Sequence, residues 1–127
     1  MQKKKVRIML FSVIFLFTVI VFSPSIADAA TYYVDATSGS NANNGTSTGT
    51  AWQTVGKVSG TTFSPGDNIL FKKGETFAGK ITVNQSGTAG NLITFGAYGT
   101  GTNPIINASG QTYGLDIQGR SYLRFEN

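Results

Sequence analysis

Few side chains in this sequence of 127 residues are suited to chemistry. The chain has no histidine and no cysteine, which excludes Ser–His–Asp catalysis, Cys–His catalysis and His-ligated zinc within it. Lysine and arginine remain as candidate bases. Lys80 and Arg124 point outward from predicted strands, and either could accept a proton. A solvated strand face is the simpler explanation of both.

The acidic residues show no cluster of the kind that holds a cation. Asp116 and Glu126 also point outward, but they lie only ten residues apart, too close for neighbouring layers of one sheet. Lys73 and Glu75 flank a glycine and predict a turn. We therefore assign no catalytic residue and no metal ligand from spacing.

Other polar and aromatic residues have simple explanations too. Tyr98, Tyr113 and Tyr122 could stack on sugars, although packing against the core or a cap suits them equally well. Asp35 and three loop asparagines are predicted to form turns by bonding their own backbone; the asparagines are Asn41, Asn43 and Asn44. Asn-x-Ser/Thr matches at Asn44, Asn84 and Asn107 would matter only in a eukaryote.

The amino-terminal segment predicts export. Four basic residues lie within the first seven positions, and residues 8–22 follow without a charge. Small residues at Ala27 and Ala29 then match a signal peptidase site. The apolar run is shorter than the roughly 20 residues of a membrane span. We predict a signal peptide over residues 1–29, cleaved after Ala29 or Ala30, with no stable membrane span afterwards and a secreted, cell-surface or periplasmic product.

Removal of the leader changes the charge argument. The whole chain carries +4, but residues 30–127 hold six basic and five acidic side chains, a net charge of +1. The basic character therefore belongs mostly to the leader. A nucleic-acid partner, which requires a clustered basic face on the folded domain, is not expected.

The elements that must position these residues are strands. Short apolar clusters alternate with Gly-, Thr-, Ser- and Asn-rich turns. Predicted strands cover residues 32–34, 68–72, 80–84, 92–95, 104–107, 115–118 and 122–126. One short helix is predicted over Ala51–Val58, where it would cap the first strand with Trp52 inward. Candidate core residues are Ile69, Phe71, Ile81, Val83, Ile93, Phe95, Ile105, Leu115, Ile117, Leu123 and Phe125.

Strands at intervals of 8 to 12 residues fit a sandwich, a barrel or a solenoid. The single Asn-Gly pair, Asn44-Gly45, lies in a polar loop rather than in a tight hairpin. Long connections between the apolar clusters favour a coil in which each strand pairs with the strand one turn away.

Three stretches resemble the opening of exported right-handed parallel β-helix proteins of the pectate-lyase-like superfamily. They are residues 32–54 with the loop GSNANNGTS, residues 63–79 with FSPGDNILF, and residues 86–99 with SGTAGNLITF. The resemblance implies an all-β right-handed parallel β-helix, with residues 30–127 forming an N-terminal cap and the first coils. The chain departs from the family's pattern at Asn41, where such proteins often have an acidic residue.

This resemblance also implies an activity, namely polysaccharide lysis by β-elimination on uronate glycans. In such lyases a cation, calcium for example, neutralises a carboxylate and a Lys or Arg removes the neighbouring proton. Calcium is expected only for the full-length protein, on the resemblance alone.

The family's catalytic groups lie in central coils that residues 30–127 do not reach. We therefore expect an inactive N-terminal portion of a longer carbohydrate-active protein. The alternative is a non-catalytic surface or adhesive β-helix that binds glycans or a partner. If the chain is complete, self-association through an open end is expected.

Overall fold

The computed structural model describes residues 28–127, and nearly all of the predicted leader lies outside this range. The helical elements are a single 3-10 turn, Thr48–Thr50, and α1, Val55–Ser59. The strands are β1 (Thr31–Val34), β2 (Asn68–Lys72), β3 (Thr76–Ala78), β4 (Ile81–Thr82), β5 (Ile93–Tyr98), β6 (Ile105–Asn107), β7 (Leu115–Asp116) and β8 (Leu123–Phe125). The part of the chain that is described is therefore mostly strand and turn.

The strands form parallel sheets. One sheet has four strands in the order β1-β2-β5-β8, and two further sheets pair β3 with β6 and β4 with β7. Every pairing of these strands is parallel. The prediction of an all-β chain with parallel strands is confirmed.

The chain visits the three sheets in a fixed order. From β2 onward, successive strands join the four-stranded sheet, the β3–β6 sheet and the β4–β7 sheet, and β5, β6 and β7 repeat that order. Thr31 pairs with Asn68, 37 residues later, and Asn68 pairs with Thr94, 26 residues later. Neighbours in a sheet are thus far apart in sequence.

Two element predictions need correction. Strand β3 was not predicted, because its single buried apolar residue, Phe77, gives no alternating pattern. The predicted helix at Ala51–Val58 begins only at Val55, because Thr54 is extended and its side chain accepts a hydrogen bond from the amide of Lys57. Trp52 instead forms an isolated parallel bridge with Val34.

The outer edge of β1 is covered by loop backbone. The amide of Tyr33 donates to the carbonyl of Gly45, and the amide of Trp52 donates to the carbonyl of Tyr33. The amide of Asp35 donates to the carbonyl of Trp52. The cover of this edge therefore comes from the loop, whereas α1 packs against β4.

The core lies between the sheets and this loop. Trp52 stacks on Tyr32 at 4.8 Å, and its indole nitrogen donates to the carbonyl of Asn43. The buried cluster also contains Val34, Val55, Val58, Phe63, Ile69, Phe71, Phe77, Ile81, Val83, Ile93 and Phe95. The six predicted core residues from Ile69 to Phe95 are confirmed. Four later ones, Ile105, Leu115, Ile117 and Phe125, are 41–58% exposed, which contradicts the prediction for them.

Candidate functional site

Polar and aromatic side chains converge where three strands of the four-stranded sheet end. Asp35 directly follows β1, Lys72 ends β2 and Tyr98 ends β5, and Lys72 pairs in register with Tyr98. Tyr33 and Glu75 complete the group. We call these five residues the sheet-end cluster.

An ion-pair network connects the charged members of the sheet-end cluster. Lys72 Nζ lies 2.7 Å from Asp35 Oδ2 and 3.4 Å from Glu75 Oε1. The other Asp35 oxygen accepts from the amides of Thr37 and Ser38, and Glu75 Oε2 accepts from the amide of Ala36. The Asp35 and Glu75 side chains are only 6% and 11% exposed, whereas Lys72 remains 38% exposed. The network fixes the turn after β1.

The electrostatics of the cluster favour its charged forms. Burial acts to raise the pKa of Asp35, but the hydrogen bonds from Lys72 and Ser38 hold that pKa below its usual value. The hydrogen bond to Asp35 raises the pKa of Lys72. Asp35 is therefore held as a carboxylate and Lys72 as a cation, which makes neither of them suited to exchanging protons near neutral pH.

The two tyrosines of the cluster pack edge to face, with ring centroids 5.1 Å apart. The Tyr98 hydroxyl oxygen is buried and has no hydrogen-bond partner among the described residues. Burial, and then the negative charge of Asp35, raise the pKa of Tyr98. The hydroxyl therefore stays protonated, and because its oxygen is buried it offers no hydrogen bond to a ligand at the surface.

The candidate bases from the sequence are neutralised elsewhere. Lys80 Nζ lies 3.4 Å from Asp116 Oδ2, and Arg124 Nε lies 2.7 Å from Glu126 Oε2. The structure thus joins each predicted base to one of the two predicted outward acids, and the two pairs belong to different sheets. They are ion pairs on strand faces, as the simpler explanation predicted.

Asp35 and Asn44 form local turns, as predicted, because each accepts from the amide two residues later, whereas Asn41 and Asn43 bond to backbone 8 to 13 residues away. Asn41 Oδ1 accepts from the amides of Gln53 and Thr54, and Asn43 Nδ2 donates to the carbonyl of Ala51. Of the three tyrosines considered for sugar stacking, Tyr113 and Tyr122 are exposed, and only Tyr98 joins the cluster. Tyr33 and Glu75 were missed, because their place in the cluster depends on the pairing register of β1 with β2.

A cleft of about 410 Å³ opens between the three sheets. Its lining is mainly apolar and includes Phe71, Phe95, Ile106, Leu115 and Phe125. These side chains point toward the core rather than toward the sheet-end cluster, so the cleft is an open packing surface.

Two kinds of site are not found between residues 28 and 127. No three His, Cys, Asp or Glu side chains come close enough to hold a metal ion there. None of the helices in that part of the chain is long and apolar enough to cross a bilayer.

Comparison with known proteins places the chain beside glycoside hydrolases. No family model matches it. A lacto-N-biosidase of Bifidobacterium longum subsp. longum is 34% identical over 91 residues, which cover 66% of this chain and 6% of that protein. The native crystal structure of the GH136 lacto-N-biosidase of Eubacterium ramulus is 32% identical with a TM-score of 0.62, covering 65% of this chain and 13% of that one. The structure of its selenomethionine derivative has a TM-score of 0.58 and covers 61% of this chain and 12% of that one.

These findings correct the family assignment made from the sequence. The prediction of a pectate-lyase-like polysaccharide lyase acting by β-elimination is wrong, because the similar proteins are GH136 lacto-N-biosidases. The expectation of calcium rested on that resemblance and loses its support. The chain spans about one sixteenth of the curated relative and about one eighth of the solved structures.

Proposed function

We propose that this chain is the amino-terminal part of an exported glycoside hydrolase that acts on glycans, and that it builds the first coils of a right-handed parallel β-helix. The observation that carries the hydrolase proposal is the likeness to GH136 lacto-N-biosidases at 32–34% identity. Export is supported by the sequence of residues 1–29.

The order of the sheets supports the β-helix. A chain that returns to three sheets in the same order, always with parallel pairing, winds around one axis. Crossovers between parallel strands of one sheet are right-handed in about 98% of cases, which favours a right-handed coil. The intervals of 26 to 37 residues between paired strands leave room for one full turn.

The apolar end of the fold supports a longer protein. Leu115 and Phe125 are 41% and 46% exposed and line the 410 Å³ cleft. In a parallel coil, such side chains are buried by the next layer of strands. Further coils would close this cleft.

We assign the hydrolytic chemistry to residues outside this stretch. Glycoside hydrolysis uses two carboxyl groups, one to protonate the glycosidic oxygen and one as nucleophile or base. Here all five acidic side chains from Asp35 onward are held by backbone amides or cations. The sheet-end cluster would contribute aromatic ring surface to glycan contact rather than an acid–base pair.

The test of the hydrolase proposal begins with the DNA that follows codon 127. We expect further strand repeats and a pair of carboxylates without backbone or cation partners. The protein made from that reading frame should hydrolyse a chromogenic aryl glycoside of lacto-N-biose. Lack of hydrolysis of this substrate and of a panel of other aryl glycosides by a folded product would contradict the proposal.

Glycan binding without hydrolysis is a second candidate, favoured by the engagement of all five carboxylates. Calorimetric titration of the exported chain with lacto-N-biose tests the role of the sheet-end cluster in either case. We expect Tyr98→Ala to weaken binding at least fivefold and Tyr113→Ala, a change at an exposed tyrosine outside the cluster, to leave it unchanged. Equal losses of affinity in the two variants would show that the sheet-end cluster does not contact the glycan.

A further inference from the structure

Backbone pairing in the described residues begins at Ala30. Its amide nitrogen donates to Asp67 Oδ1 at 2.8 Å, and its carbonyl accepts from the amide of Asn68 at 2.8 Å. Ala30 is half-buried, whereas Asp28 and Ala29 are exposed. The bond between Ala29 and Ala30 therefore lies at the border between exposed and packed chain.

Asp67 is a buried carboxylate that lacks a cationic partner. It is 3% exposed, and its second oxygen accepts from the amide of Ser64 at 2.8 Å. Between residues 28 and 127, no lysine or arginine nitrogen lies within 4.0 Å of it. Buried carboxylates are ordinarily paired, because an isolated charge is costly to remove from water. Among the described residues, backbone amides alone hold its two oxygens.

The leader sequence can supply a cationic partner at one of its two candidate cleavage points. Cleavage after Ala29 puts Ala27 and Ala29 at the two small-residue positions. Cleavage after Ala30 would put the charged Asp28 at the first of these positions and would remove the residue that contacts Asp67. Both arguments favour the bond after Ala29.

We propose that signal peptidase cleaves between Ala29 and Ala30, and that the α-ammonium group of Ala30 then forms an ion pair with the buried carboxylate of Asp67. Hydrolysis consumes one water, leaves a carboxylate on Ala29 and leaves an amino group on Ala30 that is protonated at neutral pH. The nitrogen already lies 2.8 Å from the carboxylate, so cleavage adds charge to an existing hydrogen bond. This proposal rests on the proposed export.

The ion pair has a defined dependence on pH. The carboxylate raises the pKa of the Ala30 amino group above the usual value of about 8. The stabilisation is therefore present at neutral pH and is lost as the pH rises through the raised pKa of the amino group. Tyr32 interacts electrostatically with Asp67, and Arg124, which lies on β8 of the same sheet, is held by Glu126.

The cleavage site is tested by the intact mass and the amino-terminal sequence of the full chain expressed in an exporting bacterium. We expect an exported product that begins at Ala30. An exported product that begins at Thr31 or elsewhere overturns this inference alone. A chain retained in the cell with its leader overturns the export proposal as well.

The ion pair is tested by a cycle of variants on the exported protein. One variant has a serine inserted between Ala29 and Ala30, which moves the ammonium one residue away, and the other is Asp67→Asn. With Asp67 present, we expect the insertion to lower Tm by about 5 °C at pH 7. In the Asp67→Asn background, the insertion should have little effect, and an equal effect in both backgrounds would overturn the pair.

If the Asp67→Asn protein does not fold, the wild-type protein still decides the question. The amino group of Ala30 can be titrated by NMR in protein labelled with ¹⁵N-alanine. A pKa above about 8 supports the ion pair, and a pKa at or below about 8 overturns it.

Discussion

The early and late strands of this protein share an alternating pattern of apolar residues but differ in burial. Val34 in β1, Ile69 in β2 and Ile93 in β5 are all 0% exposed. In the late strands, Leu115 of β7 is 41% exposed and Phe125 of β8 is 46% exposed. Alternation alone therefore does not determine burial here.

The difference follows from what covers each strand, since among residues 28–127 β3 and β4 also pair on one side only and yet bury Phe77 and Ile81. Strand β2 lies between β1 and β5, and the outer edge of β1 is covered by the loop that contains Gly45 and Trp52. Within the described residues, β6, β7 and β8 each pair on one side only. In stacked parallel strands, a side chain is buried by the layers on both sides of it, so the apolar residues of these late strands stay partly exposed.

The largest expected effect compares one phenylalanine from each region. Phe77 is 1% exposed and packs on Phe71 at 5.1 Å, so Phe77→Ala should lower the free energy of unfolding by about 3–5 kcal/mol. Phe125 is half exposed, and Phe125→Ala should cost about 1–1.5 kcal/mol. Urea unfolding of the exported chain measures both.

The same pair of variants can be measured in the protein made from the complete reading frame. If further strands cover β8, Phe125→Ala should become about as costly there as Phe77→Ala, at about 3–5 kcal/mol. A cost that stays near 1 kcal/mol in the longer protein would show that no layer covers Phe125.

The loop that covers β1 should be nearly as sensitive as the core. Gly45 has a φ of +78°, and a Cβ there would lie 2.4 Å from Cε2 of Trp52. We expect Gly45→Ala to destabilise the protein by about 2–3 kcal/mol, from backbone strain and displacement of the indole. Gly49→Ala is the control, because a Cβ at Gly49 meets nothing within 4 Å. Similar thermal shifts for the two variants would exclude a structural role for the cover.

A smaller effect, dependent on pH, is expected at Asp35. Since its pKa is lowered in the folded protein, its stabilisation is present above the unfolded value of about 3.9 and is lost as the pH falls through the folded value. Asp35→Asn should cost about 1–2 kcal/mol at pH 7, with the difference from wild type shrinking below about pH 4. Denaturant unfolding at several pH values measures this.

The control for Asp35 is Glu126→Gln, which removes an acid from an ion pair whose side chains are 60% and 47% exposed. It should change stability by less than about 0.5 kcal/mol at any pH. A loss as large as that of Asp35→Asn would mean that acids in the early and late regions contribute alike.

A small effect on stability is expected at the Tyr98 hydroxyl. Because this buried group has no partner among the described residues, Tyr98→Phe should be neutral or stabilise the protein by up to about 1 kcal/mol. A large loss of stability would reveal a partner for the hydroxyl in solution.

Local features of the fold could be predicted from the sequence. The bounds of β2 and the turn-forming roles of Asp35 and Asn44 depend on residues only a few positions away. Strand β3 could not be found, because three residues with one apolar member carry no period. In β6, two adjacent isoleucines gave no indication of which one faces the core. Ile105 was predicted to face inward, but Ile106 packs against the core instead.

The candidate site could be predicted only in part. Tyr98 was considered for sugar contact, but the contact of Lys72 with Asp35 depends on parallel pairing across 37 residues, which no local pattern reveals. The lyase assignment failed for a related reason. The motifs at residues 32–54, 63–79 and 86–99 form strands, turns and the cover of β1, so they carry information on packing rather than on reaction type.

The wide spacing of paired strands has a consequence for the timing of folding. Strand β1 has no sheet partner until residues 68–72 have been made, and β2 must wait for residues 94–98. Contacts between distant residues require long loops to close first, which slows folding. We propose that the chain is exported. Delayed pairing of its strands would then keep the polypeptide unfolded while it crosses the membrane.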